Sequence, residues 1–154
     1  MCTGGTSPLS RPTVHEAAMT TAEVWATRAT CGRRRVGAVI TSRDNQVLGT
    51  GYNGPARGHV HCTDNPCKGM LFSSGQGLDS CEAVHAEQNA IVNTSDMSKA
   101  RNIYVTTAPC VSCTKLLLNT RIRNIYYRED YAHSEQSQAL WTGNSDRKWT
   151  QLVI

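Results

Sequence analysis

Apolar residues recur at helical spacing across residues 14–29, where Val14, Ala17, Ala18, Ala22, Trp25, Ala26 and Ala29 fall on one stripe and Thr13 is placed to cap the first turn. Gly32 and the run Arg33-Arg34-Arg35 break the pattern, and the run reads as a solvated loop. Val36-Gly37-Ala38-Val39-Ile40 is a short continuous apolar stretch, which predicts a strand buried on both faces. Asp44-Asn45 is turn chemistry, so residues 46–52 return as the second arm of a hairpin. Helical spacing resumes near Ala83 and runs to about Asn93, with Ala86, Ala90 and Ile91 on the inner stripe. Residues 102–107 read as a strand; Pro109 stops it and suits the start of a helix over residues 110–119 carrying Leu116 and Leu117. Residues 124–127 are a further strand, 134–142 are weakly helical, and 149–154 are a terminal strand or a loose end. The order α-β-β-α-β-α-β predicts an α/β fold with one sheet and helices on both of its faces.

Two stretches resist this periodicity. Gly51-Tyr52-Asn53-Gly54-Pro55 is a tight glycine-bracketed loop, in which Asn53 by itself reads as a turn residue tolerating a positive φ. Residues 57–81 hold His59, His61, Cys62, Cys67 and Cys81 with no clear period, and a segment that long in a compact domain is functional or pinned. Residues 1–13, rich in Gly, Ser and Pro, read as a flexible leader, and 14–154 as a single domain with no internal repeat.

Composition narrows the function. A chain of 154 residues can bury one continuous core without disulfide staples, and 39% hydrophobic with 18% charged residues suits a folded globular protein. The net charge of +4 suits an anionic small molecule as well as a polynucleotide. One Phe and scattered tyrosines supply no stacking platform for single strands, so a zinc-stabilised nucleic-acid-binding module is the weaker reading. Seven cysteines, an odd number without a secretory signal or a membrane-length apolar window, point to a reducing cytoplasm. There, clustered cysteines bind metal more often than they cross-link.

The candidate chemistry lies in C-E-A-V-H-A-E-Q-N-A-I at 81–91 and A-P-C-V-S-C at 108–113. His85, Cys110 and Cys113 offer one imidazole and two thiolates, three ligands that leave the fourth position of a catalytic zinc open. Glu87 follows the histidine by two residues, and H-x-E with P-C-x-x-C is the signature of zinc-dependent base deaminases. Cys110 and Cys113 are spaced i, i+3, so at a helix start they share one face, where the N-terminal N–H groups favour the thiolate. Two thiolates neutralise Zn²⁺ and still leave an ion that acidifies water. His85 and Glu87 are i, i+2 and diverge on a regular helix, so His85 belongs in an irregular first turn or a water fills the gap. The chemistry such a set supports is proton shuttling by Glu87 during attack of water at C4 of cytosine, with loss of ammonia. A purely structural zinc has no use for Glu87.

V-G-A-V-I at 36–40, G-Y-N-G at 51–54, H-A-E-Q-N-A-I at 85–91 and T-T-A-P-C-V-S-C at 106–113 together resemble the cytidine/deoxycytidylate deaminase family. G-Y-N-G and the cysteine-rich segment point to its deoxycytidylate branch, and G-Y-N-G disfavours cytidine, guanine or tRNA adenosine as substrate. The resemblance implies a three-layer α-β-α fold with a mixed sheet of about five strands, a hexamer, and hydrolysis of dCMP to dUMP. It also implies activation by dCTP with Mg²⁺ and inhibition by dTTP. By the same resemblance His85, Cys110 and Cys113 hold zinc, Glu87 shuttles protons, Asn53 contacts the sugar, and the backbone of Ala86 and Ala108 lines the base pocket. Ala108 departs from a serine common there. Lys115 is a phosphate or scaffold contact, and Gly51, Tyr52, Asn53 and Gly54 with Arg57 and His59 form an allosteric nucleotide site. Cys31 and Cys62 fall where some relatives bind a second, structural zinc, with Cys67 and Cys81 in place of the histidines found there.

Overall fold

The protein is described by a computed structural model covering residues 10–73, 76–77, 81–144 and 146–154. Helix α1, Val14–Ala26, begins where Thr13 closes a reciprocal cap. The Glu16 N–H donates to Thr13 Oγ1 (3.1 Å), and the Thr13 N–H donates to Glu16 Oε2 (2.6 Å). The helix stops short of residue 29 because the Thr27 hydroxyl donates back to Val24 O at 2.6 Å and ends the ladder, although Ala29 stays buried in the following turn.

Strands β1 (Gly37–Ser42) and β2 (Val47–Tyr52) form the expected hairpin, turned at Asn45 with φ 63°. Two short strands, β3 (Gly54–Pro55) and β4 (Ala83–Val84), pair antiparallel with each other. Helix α2 spans Ala86–Asn93, β5 Ala100–Thr107, α3 Val111–Leu118, β6 Asn124–Glu129, α4 Ser134–Thr142 and β7 Lys148–Gln151. The main sheet runs β2-β1-β5-β6-β7, antiparallel on the β1 side of β5 and parallel from β5 through β7. This is the mixed sheet of about five strands that the family resemblance implies.

Strand alternation sorts the core into two clusters. Val39 and Tyr104 pack with Ala18, Met19 and Ala22 of α1, whereas Ala38, Ile40, Ile103, Val105 and Ile125 pack on the opposite face with Ala90, Leu117 and Trp141. Helix α1 therefore covers one face and α2, α3 and α4 the other, giving three layers. Of residues 149–154, the first three belong to β7, which continues the parallel ladder and is anchored by Trp141 Nε1 donating to Lys148 O at 2.9 Å, whereas residues 152–154 lie beyond the strand.

Two boundaries differ from the periodicity, and both matter for the site. Ala83 is strand rather than helix, because His85 is extended (φ −73°, ψ 155°) and its N–H donates to Gln88 Oε1 at 2.8 Å, so the helix opens only at Ala86. Cys110 precedes rather than begins α3, since its sulfur accepts from the Cys113 N–H at 3.4 Å. Helix α2 is then locked to β2, with Asn89 Nδ2 donating to Tyr52 O and Asn93 Nδ2 to Thr50 O, both at 2.8 Å. Gly51 makes that approach possible: a Cβ there would lie 2.3 Å from Ala86 O and 2.4 Å from Ala90 N. Gly51→Ala is therefore expected to cost about 1–3 kcal/mol by overpacking, read as a lowered midpoint in denaturant melts, and to reduce activity because α2 carries the site.

Candidate active site

Antiparallel pairing of β1 with β5 brings the start of β1 beside the end of β5, where Gly37 N–H donates to Thr106 Oγ1 at 3.2 Å. At this sheet edge, the usual place for an α/β site, the chain enters α3 through Pro109-Cys110 and α2 through His85. The two helix starts converge. His85 Nδ1 lies 3.2 Å from Cys113 Sγ and 3.5 Å from Cys110 Sγ. The three ligand atoms lie within 4.8 Å of one another, and among the described residues no other His/Cys/Asp/Glu group of three or more converges in this way. Tetrahedral zinc with ordinary bond lengths separates N from S by about 3.6 Å and S from S by about 3.8 Å, so the donor set fits that ion.

The ionisation of the triad has the same logic. Cys110 is held down to about 4, first by its hydrogen bond with the Cys113 thiol, then by His85 and the Cys113 N–H. The same thiol–thiol bond, reinforced by burial, pushes Cys113 up. His85 is raised, chiefly by its bond to Cys110. Metal binding requires all three ligand atoms to be free of protons, so loading this triad with a dication would release protons.

Glu87 sits beside this group, 5% exposed. Burial raises its carboxyl above the ordinary 4.5 and Cys110 adds to the rise, while His85 opposes it. The i, i+2 tension disappears because His85 is the extended residue before α2 and only Glu87 is in the helix.

Both residues open on a recess of about 220 Å³ whose walls include Val36, Phe72, Ala86, Thr107 and Ala108, with Asn53, Arg34 and Tyr131 as polar members. Ala86 and Ala108 are nearly fully buried there, at 1% and 3% exposure. Asn53 does not adopt a positive φ, which overturns the turn reading. Its Oδ1 accepts from Val36 N–H at 2.8 Å and its Nδ2 donates to Arg34 O at 2.7 Å, leaving one N–H and one lone pair of the amide unused.

Other predicted residues lie elsewhere. Lys115 is exposed on α3 outside the recess, because Cys113, Thr114 and Leu117 take the inner face. Gly51 is buried against α2, Tyr52 stacks on Trp25 (centroids 6.1 Å apart, planes at 4°), and Gly54 belongs to β3. Arg57 and His59 are exposed in the turn after β3 and do not line the recess. Of the four cysteines expected at a second zinc, Cys62 and Cys67 bring their sulfurs to 3.8 Å and share a small cavity with Cys31, while Cys81 packs against Gly69 and lines the main recess. No three of these four close to ligand spacing.

The sequence pattern missed Arg33, Arg34 and Tyr131. Arg33 is no solvated loop residue: Nη1 donates to Gly69 O (2.8 Å) and Gln76 O (3.0 Å), and Nη2 to Ser73 O (3.0 Å), which pins the irregular segment. A charged run abutting a buried strand was the signal available; Tyr131, in a turn after β6, gave none.

The sequence profile of the cytidine and deoxycytidylate deaminase zinc-binding region matches residues 12–129. The chain belongs to this deaminase family. It is 37% identical over 127 residues to ComE operon protein 2 of Bacillus subtilis, an alignment covering 80% of this chain and 63% of that protein. It is 33% identical over 133 residues to deoxycytidylate deaminase of Saccharomyces cerevisiae, covering 85% of this chain but 42% of the yeast protein. The chain thus spans less than two thirds of these relatives' length. The apo crystal structure of dCMP deaminase from cyanophage S-TIM5 superposes with a TM-score of 0.68 and 26% identity over 93% of this chain and 100% of the phage chain. The matched span, residues 12–129, contains His85, Glu87, Cys110 and Cys113.

Proposed function

We propose that this chain hydrolyses dCMP to dUMP and ammonia. The observation that carries the reading is the convergence of His85, Cys110 and Cys113 beside the buried carboxyl of Glu87 in one recess. The yeast and cyanophage relatives, both named for deamination of this nucleotide, support the substrate. When bound at the triad, zinc supplies the Lewis acidity that brings the ionisation of water within reach of neutral pH. The chain's own residues supply the rest. Glu87 takes one proton from the attacking water and passes it to N3 of the ring, then takes the second from the hydroxyl formed at C4 and passes it to the amine, so that the C4–N bond breaks, water is consumed and ammonia released. The backbone of Ala86 and Ala108 flanks the base, and the remaining N–H of Asn53 is available to the sugar. The walls of Val36, Phe72 and Ala108 limit bulk water around the ring.

The finer assignments belong to the same reading. Residues 14–154 act as one catalytic unit in the cytoplasm, assembled as a hexamer, with dCTP and Mg²⁺ activating and dTTP inhibiting through the G-Y-N-G loop and its neighbours Arg57 and His59. A second zinc would draw together Cys31, Cys62, Cys67 and Cys81, beginning from the Cys62–Cys67 pair at 3.8 Å. Among the described residues no helix is long and apolar enough to cross a membrane. The deciding experiment follows ammonia release from dCMP, cytidine, guanine and adenosine, with and without dCTP and dTTP, alongside zinc content and mass in solution. Preference for dCMP is expected; release from guanine or cytidine alone defeats the reading, and one zinc per chain removes the second site.

A further inference from the structure

The catalytic recess lies where β1 begins and β5 ends. At the opposite end of the sheet, where β5, β6 and β7 begin, the chain gathers positive charge. In the parallel register Asn102 pairs with Asn124 and Asn124 with Lys148, so the residues one step earlier, Arg101, Arg123 and Arg147, form a row across three neighbouring strand starts. Backbone bonds fix the row: Arg123 N–H donates to Arg101 O and Lys148 N–H to Arg123 O, both at 2.9 Å. Asn124 Nδ2 donates to Asn102 Oδ1 (2.8 Å) and Asn102 Nδ2 to Thr41 Oγ1 (3.1 Å), which extends the stitching to β1. Adjacent strands are about 4.8 Å apart, and like charges opposite each other on them cost stability. Arg147 registers that cost, its pKa lowered first by burial and then by Arg123.

Arg147 turns inward, its guanidinium 4.6 Å from the centre of the Trp141 ring and its Nη2 donating to Leu118 O at 3.0 Å. Arg101 and Arg123 instead line a groove of about 720 Å³, joined there by Arg43 from the β1–β2 turn, Lys99 and Arg121. Among the described residues Asp44 is the one carboxylate in the lining, and Asp96 pairs with Lys99 at 4.0 Å. Among those residues Arg43, Arg101, Arg121 and Arg123 form no ion pair. Four arginines without counterions, drawn from three separate segments and held by a stitched sheet end, raise a field that attracts an anion carrying many charges. No aromatic side chain is among the described residues lining the groove, so it offers no platform on which the bases of a single strand could stack. A duplex needs none: its phosphates are presented on the outside, and contacts to them position a protein without reading sequence.

We propose that this end of the sheet docks the phosphate backbone of double-stranded DNA and leaves the catalytic recess at the other end open. The inference stands apart from the choice of dCMP as substrate and does not fail with it. A labelled mixed-sequence duplex, followed by fluorescence anisotropy, is expected to bind the full chain with a strong salt dependence. About five phosphate contacts give a slope of log K against log salt of about −4.5, a loss of about 500-fold between about 50 and 200 mM salt. Arg43→Gln with Arg121→Gln, both at exposed positions, should flatten the slope by about 1.8. Arg11→Gln with Arg28→Gln, exposed arginines outside the groove, removes the same charge and should leave the slope unchanged. Turnover of dCMP should be the same in all three proteins. In the wild type, the duplex should shield Lys99 from acetylation and leave the exposed Lys68 reactive, a readout that needs no variant. No binding at low salt, equal weakening by the two double variants, tighter binding of a single strand, displacement by dUMP, or equal shielding of both lysines overturns the proposal. A groove variant whose mass in solution falls below that of wild type also overturns it, because the groove would then hold a second copy of the chain.

Discussion

Glu87→Gln is expected to lower dCMP turnover by at least about 10³-fold, in the range a positioned acid–base group supplies, while the protein keeps its zinc. The amide is isosteric and fits the same buried position, but it neither takes the proton of the attacking water nor returns one to the ring or the amine. Stability should move the other way. The Glu87 carboxyl is raised above 4.5 by burial and by Cys110. The fold therefore prefers its protonated form, and ionisation destabilises the folded state as pH rises past the ordinary carboxylate value. A neutral glutamine removes that penalty, so the chelated Glu87→Gln protein should melt at or above the chelated wild type at pH 7. Kinetics, zinc content and thermal melts on the two proteins test all three points. Turnover within tenfold of wild type removes Glu87 from the chemistry, and lost zinc would mean that the carboxylate serves the metal instead.

What sequence could disclose follows from what is local. The triad and Glu87 were legible because the fold places each at a helix start, and residues before and after Pro109 announce one such start in the chain itself. Strand β1 was legible because burial on both faces leaves no polar alternation to misread. The beginning of α2 was not, because alanines at 83 and 86 suit helix or strand equally and the deciding contact is the Gln88 side chain on the His85 N–H. Asn53, Arg33 and Arg34 were opaque for a tertiary reason. Asn53 reaches back to residues 34 and 36 across the hairpin, and Arg33 reaches forward to 69–76 across the irregular segment. Neither link has a periodicity. The glycine of G-Y-N-G at 51 is likewise a packing requirement of α2 on β2.

Cys110→Ser separates the metal from the fold. Cys110 is the residue before α3, and its sulfur accepts from the Cys113 N–H, a task serine performs as well or better at that position. The substitution therefore keeps the helix start, and with it the buried seat of Cys113, while exchanging a thiolate for a hydroxyl that stays protonated beside zinc. Zinc content is expected to fall to near zero and turnover to drop more than about 10³-fold, because neither the Lewis acid nor its water remains. Chelation of the wild type should do the same, and should also reveal the metal's contribution to stability. An ion present about 1,000-fold above its Kd contributes about 4 kcal/mol, about 10 °C in Tm for a chain of this length, since it ties α2 to α3 through ligands on both. The comparison that matters is between chelated wild type and untreated Cys110→Ser: their melting temperatures should coincide within about 2 °C, one ΔΔG unit on that scale. A variant melting far below the chelated wild type would assign Cys110 a role in packing. One that kept zinc and full turnover would show that the histidine and a single thiolate suffice, and the three-ligand site would have to be abandoned.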